Sequence, residues 1–67
     1  QAGSVYVADT ENHRIQTFHD DVYVAKFGAY GNGNGQFNTP LGVAVDLDGR
    51  VYVADWGNHR IQVFKPV

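Results

Sequence analysis

Apolar and polar residues alternate in short bursts along this chain, and no burst has the 3.6-residue period of a helix over a useful length. Residues 5–8 form a β-branched and aromatic run, with Gly3-Ser4 before it and Asp9-Thr10-Glu11-Asn12 after it. That is the pattern of a strand between turns. Residues 15–18 read Ile, Gln, Thr, Phe, the period-two pattern of a half-buried strand with Ile facing in and Gln out. His19-Asp20-Asp21 predicts a turn, and Val22–Phe27 a third strand. A polar, glycine-rich connection fills residues 28–40, with Gly31-Asn32-Gly33-Asn34-Gly35 at its middle. Residues 41–45 predict a short apolar strand, and Asp46-Leu47-Asp48-Gly49 a hairpin turn. Two last strands are expected over 51–54 and 61–64. The fold class is all-β.

The last two strands repeat the first two. Val5-Tyr6-Val7-Ala8-Asp9 returns as Val51-Tyr52-Val53-Ala54-Asp55, and Asn12-His13-Arg14-Ile15-Gln16 as Asn58-His59-Arg60-Ile61-Gln62. The offset is about 46 residues, within the period range of propeller blades, and also aligns Gly3 with Gly49 and Phe18 with Phe64. Roughly 12 of 21 comparable positions are identical. A repeat of this kind buries its apolar face only against a neighbour, so the chain reads as part of an array.

Composition sharpens that reading. At 67 residues the chain is in the range where a β domain needs a staple, and it contains no cysteine, which removes disulfides and thiolate metal sites. Oligomerisation is the staple that remains. A net charge of −2 with mixed signs argues against a nucleic-acid surface, and no apolar run approaches the length of a membrane helix. A start at Gln1, inside a repeat and without Met, leads us to expect a natural excised or an engineered fragment.

The stretch Ala54-Asp55-Trp56-Gly57-Asn58-His59-Arg60-Ile61-Gln62-Val63-Phe64 resembles the hallmark of the NHL repeat, and Ala8 through Phe18 resembles it with one departure. Gly35-Gln36-Phe37-Asn38-Thr39-Pro40-Leu41-Gly42-Val43-Ala44-Val45-Asp46 is similar to the family's lead-in to the innermost strand of a blade. The resemblance implies antiparallel β-propeller blades of four strands each. Residues 41–45 would be innermost, 51–54 second, 61–64 third and Val22–Phe27 outermost. The chain then holds about one and a half blades: a partial repeat over 1–21 (second and third strands) and one repeat length over 22–67. Each blade is left with an open edge, which invites pairing with another chain. The departure is Glu11 against Gly57, at a turn position expected to need a left-handed backbone, where Glu would cost about 1 kcal/mol.

Candidate chemistry is sparse, and no catalytic, cofactor-binding or metal-ligating set is expected. His13 and His59 would meet on one face of a ring, but each sits in the turn motif beside an Arg that repels cations. Asp46-Leu47-Asp48-Gly49 starts like a calcium loop, yet the twelfth position is Gly57 and no helix flanks it. The glycine-asparagine run lacks the Lys-Ser or Lys-Thr of a phosphate cradle and reads as a flexible connection. Asp9 and Asp55 beside Arg14 and Arg60 are expected to stay ionised, the opposite of a poised acid. The structural turn motif is therefore Asp9, Asn12, His13, Arg14, Asp55, Gly57, Asn58, His59 and Arg60, and Tyr30 and Trp56 are the candidates for a ligand or interface surface.

The leading expectation is a non-enzymatic structural fragment that self-assembles through open blade edges into a propeller-like homo-oligomer, with itself as partner. The second is a module binding a protein or small ligand at the turn-rich face. Neither nucleic acid nor membrane is expected as a partner.

Overall fold

The computed structural model describes residues 4–65. Gly3, which the sequence reading placed just before the first strand, lies outside the described residues, as do the outer limits of both repeat units. The strands are β1 (Ser4–Asp9), β2 (Arg14–His19), β3 (Val22–Phe27), β4 (Pro40–Val45), β5 (Val51–Asp55) and β6 (Arg60–Phe64). They form two antiparallel three-stranded sheets, β1-β2-β3 and β4-β5-β6. β3, the first strand of the 22–67 stretch, hydrogen-bonds to β2. The first sheet therefore lacks a strand beyond β1, and the second lacks one beyond β6, among the described residues. The two sheets lie side by side with β1 against β4.

The connections follow from local chemistry. β2 and β3 join through Asp20 and Asp21, both left-handed (φ 51 and 68), which matches the twist of a two-residue hairpin. Asp46 organises the β4–β5 hairpin by accepting the N–H groups of Asp48 and Arg50, each at 2.9 Å, and Arg50 Nε at 2.8 Å. The Arg50 side chain is the largest of the contacts that hold the Asp46 carboxyl down to about 2. These donors occupy both carboxylate oxygens.

The core lies between the sheets. Ile15, Phe37, Val51 and Val53 are buried, with Tyr6, Ala8, Phe27, Val43 and Phe64 packed around them. Phe37 supplies the central ring, 6.2 Å from Phe27 of the first sheet and 5.8 Å from Phe64 of the second. Phe27 and Phe64 also meet directly, at 4.9 Å. Gly28 runs so close to this cluster, at φ 105, that any Cβ would collide with the Phe37 ring.

The 28–40 connection departs from the flexible loop expected. Phe37 N–H donates to Ala29 O (2.7 Å), Gly31 N–H to Phe37 O (3.0 Å) and Gln36 N–H to Gly33 O (3.1 Å). The segment is folded back on itself and pinned, because it is the wedge between two sheets. Gly28, Gly31 and Gly33 serve close approach rather than looseness, and Gly35 supplies a turn at φ 77.

Candidate functional site

The repeated turn is built the same way twice. In each copy the strand ends at Asp, a 3₁₀ turn follows (Thr10–Asn12 or Trp56–Asn58), and a left-handed His starts the next strand. His13 has φ 53 and ψ 45, His59 φ 56 and ψ 47. The His N–H closes the turn on Thr10 O at 3.2 Å and on Trp56 O at 3.0 Å.

That geometry corrects the account of Glu11 and Gly57. Neither is left-handed, so the backbone does not require glycine there; the left-handed residue is the histidine two positions on. Gly57 is needed because the second turn presses on Asn38. Its N–H donates to Asn38 O at 2.7 Å, and a Cβ would lie 2.6 Å from that same oxygen. Glu11 is exposed, with no such segment over it among the described residues. Gly57→Ala is therefore expected to lower stability by about 1–3 kcal/mol in urea denaturation, while Glu11→Ala leaves the midpoint unchanged.

Inside each turn an Asp gathers donors. Asp9 accepts from Arg14 Nε (2.8 Å), Asn12 Nδ2 (3.1 Å) and Gln16 Nε2 (3.2 Å). Hydrogen bonding from Arg14, then from Asn12, holds its carboxyl below the ordinary range. Asp55 is fully buried and accepts from Asn38 N–H (2.8 Å), Asn58 Nδ2 (2.9 Å), Arg60 Nε (2.9 Å) and Gln62 Nε2 (3.3 Å). Burial pushes that carboxyl up. The donors, Asn58 foremost, outweigh it and hold the group below its usual value.

The second network also clamps the wedge. Arg60 donates to Asn32 O, Gly33 O and Gln36 O at 3.1, 2.8 and 2.9 Å, and Asn58 to Gly31 O at 2.8 Å. Gln62 accepts Gly35 N–H at 3.1 Å and donates to Gln36 O at 2.6 Å. Arg14, by contrast, meets only Asp9 among the described residues. The difference lies in the neighbour: the second turn has a preceding sheet and its wedge beside it.

His13 faces the other way, toward the second sheet. Its Nδ1 accepts Thr39 N–H at 3.0 Å, which leaves the proton of the neutral ring on Nε2. The Tyr30 ring stands edge-on to it at 4.8 Å. Thr10 Oγ1 donates to Pro40 O at 2.8 Å. Thr39 is held at φ 56, an unusual conformation for a β-branched residue, and this aims its N–H at the imidazole. Among the described residues His59 has no counterpart to these contacts, and it is exposed.

Of the two candidate surface residues, Tyr30 is 66% and Trp56 62% exposed; Tyr30 lies in the 28–40 connection and Trp56 in the second turn. Tyr30 leans on His13, whereas Trp56 borders a shallow apolar cavity of about 540 Å³ with Leu41, Ala54, His59 and Ile61. Sequence reasoning missed Asn38 and Thr39, which link the lead-in segment to both turns, and faced Gln16 outward, with Gln62 as its repeat. Identity of Gln16 and Gln62 between the repeats was the available signal for the latter. Among the described residues no cluster of His, Asp or Glu is arranged to hold a metal ion.

The NHL repeat family model matches residues 1–18 and 37–64, more than half of the chain. The chain belongs to the NHL repeat family. Its two three-stranded sheets are consistent with partial propeller blades. No curated protein matches it.

Proposed function

We propose that this chain is a non-enzymatic structural module that associates head to tail with further copies of itself into a propeller-like homo-oligomer. One observation carries the reading: equivalent residues are buried in one repeat and bare in the other. Val51 and Val53 are 5% and 0% exposed, covered by the preceding sheet, while Val5 and Val7 are 54% and 41% exposed. In the opposite sense Ile15 is buried and Ile61 is 62% exposed, beside Val63 at 51%. The described residues thus contain one completed inter-sheet interface and two unmatched faces, one on each sheet. The bare half of one copy is chemically the partner of the bare half of the next, a heterologous contact that closes into a ring when the rotation permits. Among the described residues β1 and β6 are edge strands, which leaves backbone groups at the rims of the two sheets open to pairing as well.

The non-enzymatic part rests on the state of the side chains. Asp9 and Asp55 are held ionised by several donors, and the Nδ1 of His13 is occupied. A ligand at the turn-rich face is the weaker reading, because Arg60 and His13 are already spent on the wedge.

Native mass spectrometry and light scattering at micromolar concentration are expected to show a defined oligomer. Replacing Val5 and Val7 together by Lys should shift it to monomer with the fold retained, since both side chains point to solvent within one chain. A well-folded monomer for the unaltered chain would overturn the proposal.

A further inference from the structure

The run Gly31-Asn32-Gly33-Asn34-Gly35 holds the tripeptide Gly-Asn-Gly twice, and both asparagines are exposed. An asparagine followed by glycine is open to attack by its own main chain. With no Cβ on the following residue, that residue's backbone nitrogen can approach the side-chain amide carbon. The nitrogen forms a bond to Cγ, the Cγ–Nδ2 bond breaks, and Nδ2 leaves as ammonia with the proton of the glycine N–H. A succinimide ring remains. Water opens it at one carbonyl or the other, giving aspartate or isoaspartate, the latter with an extra carbon in the main chain. Water is the only co-reactant. Because the two asparagines have the same flanking residues, local sequence gives them the same reactivity, and the fold decides between them.

Attack requires the Asn–Gly peptide to rotate, and its hydrogen bonds resist that rotation. The Asn32–Gly33 peptide is held at both ends. Asn32 O accepts from Arg60 Nη1 at 3.1 Å, and Gly33 N–H donates to Gln36 Oε1 at 2.9 Å. The Asn34–Gly35 peptide is held at one end: Gly35 N–H donates to Gln62 Oε1 at 3.1 Å, and among the described residues no donor reaches Asn34 O. It is also the central peptide of the turn that Gln36 N–H closes on Gly33 O at 3.1 Å, so it can rotate without breaking that bond. Gly35, at φ 77, has nothing within 4 Å of where a Cβ would stand, which leaves room for the motion. Asn12 and Asn58 precede His, and Asn38 precedes Thr, whose side chains crowd the attacking nitrogen.

We infer that Asn34 is a self-modification site, converting to aspartate and isoaspartate in the folded protein, with Gln62 restraining it and Arg60 protecting Asn32. The site lies on the wedge between the sheets. Isoaspartate at position 34 lengthens the turn and carries Gly35 N–H off Gln62, whose amide also holds Gln36 O beside Phe37. Conversion at Asn34 therefore loosens one corner of the clamp, and Asn32 follows it rather than preceding it. The inference holds whether or not copies of this chain associate.

The test is to age the unaltered 67-residue protein in mildly alkaline buffer and map the products by mass spectrometry. Tryptic cleavage after Lys26 and Arg50 releases residues 27–50, which carry Asn32, Asn34 and Asn38 on one peptide. Electron-transfer fragmentation then assigns aspartate and isoaspartate to a position. In the folded protein Asn34 is expected to convert at least about tenfold faster than Asn32, the difference that one charge-assisted hydrogen bond makes to an opening equilibrium. In a free peptide of residues 27–50 the two should convert alike. Gln62→Met keeps the side chain's length and exchanges its carbonyl for a weakly accepting thioether. It should speed Asn34 by about three- to tenfold and leave Asn32 slow. Equal rates in the folded protein, Asn32 converting first, or an inert Asn34 while the free peptide reacts overturns the site. So does a matched rise at both positions in a folded Gln62→Met protein, which would mean that the wedge opens as a unit. If circular dichroism shows that this variant has lost its fold, the comparison of folded protein with free peptide decides alone.

Discussion

Phe37→Ala is expected to unfold this protein or bring it to the edge of unfolding. The ring is fully buried and touches Phe27 in one sheet and Phe64 in the other, at centroid distances of 6.2 and 5.8 Å. Removing a buried Phe side chain costs about 3–5 kcal/mol, part lost transfer energy and part cavity. A chain of this size has a total stability of roughly 3–10 kcal/mol. The site also cannot collapse well, because Arg60, Asn58 and Gln62 hold the segment's carbonyls in place on the far side. Phe64→Ala should come next, since that ring meets both Phe27 and Phe37. Phe18→Ala should cost least, because the one ring partner of Phe18 among the described residues is Tyr23, on its own sheet. Urea denaturation at one fixed protein concentration checks the order, the fixed concentration being needed because association shifts apparent stability. Equal losses at Phe18 and Phe37 would mean that the wedge is not what joins the sheets.

That ranking was only partly legible in the sequence. Strand positions were, because β-branched runs between turn clusters carry a local signal, and the turn motif was, because it occurs twice. Sidedness was not. A blade sheet is covered on both faces, one by the preceding blade and one by the following, so strict alternation does not separate inside from outside. In β6 the apolar Ile61 and Val63 face solvent while Gln62 is bonded into the wedge. The identical Ile15 of β2 is buried. No reading of Ile-Gln alone distinguishes these copies; the neighbour does. Gly57 shows the same limit from another side, since the constraint on it is Asn38, about twenty residues away in sequence, rather than its own backbone. The candidate surface was half legible. Trp56 stood out as the residue breaking the repeat, but the cavity it borders with His59 and Ile61 is a feature that only the folded chain displays.

The two turn carboxylates, identical in local sequence, should answer very differently to removal. Asp55→Ala is expected to cost about 3–5 kcal/mol, the range for deleting one partner of a buried ion pair. It strips the acceptor from Arg60, Asn58, Gln62 and the Asn38 N–H at once, and Asp55 itself is wholly inaccessible. The same change at Asp9 should produce a clearly smaller drop in Tm, because Asp9 and Arg14 keep solvent access and hold no wedge. Acid tests the same contrast. The donors outweigh burial and depress the Asp55 carboxyl in the folded chain, so near its unfolded value the folded state binds fewer protons than the unfolded one. Its stabilisation is therefore complete above the unfolded value, near pH 4, and is lost as pH falls through the depressed folded value. Asp46 and Asp9 are depressed as well, so the unaltered protein should lose Tm steeply below about pH 4. The Asp55→Ala protein should start lower and fall less over the same range. Parallel Tm-versus-pH curves for the two proteins would show that the Asp55 carboxylate does not hold the second turn to the wedge.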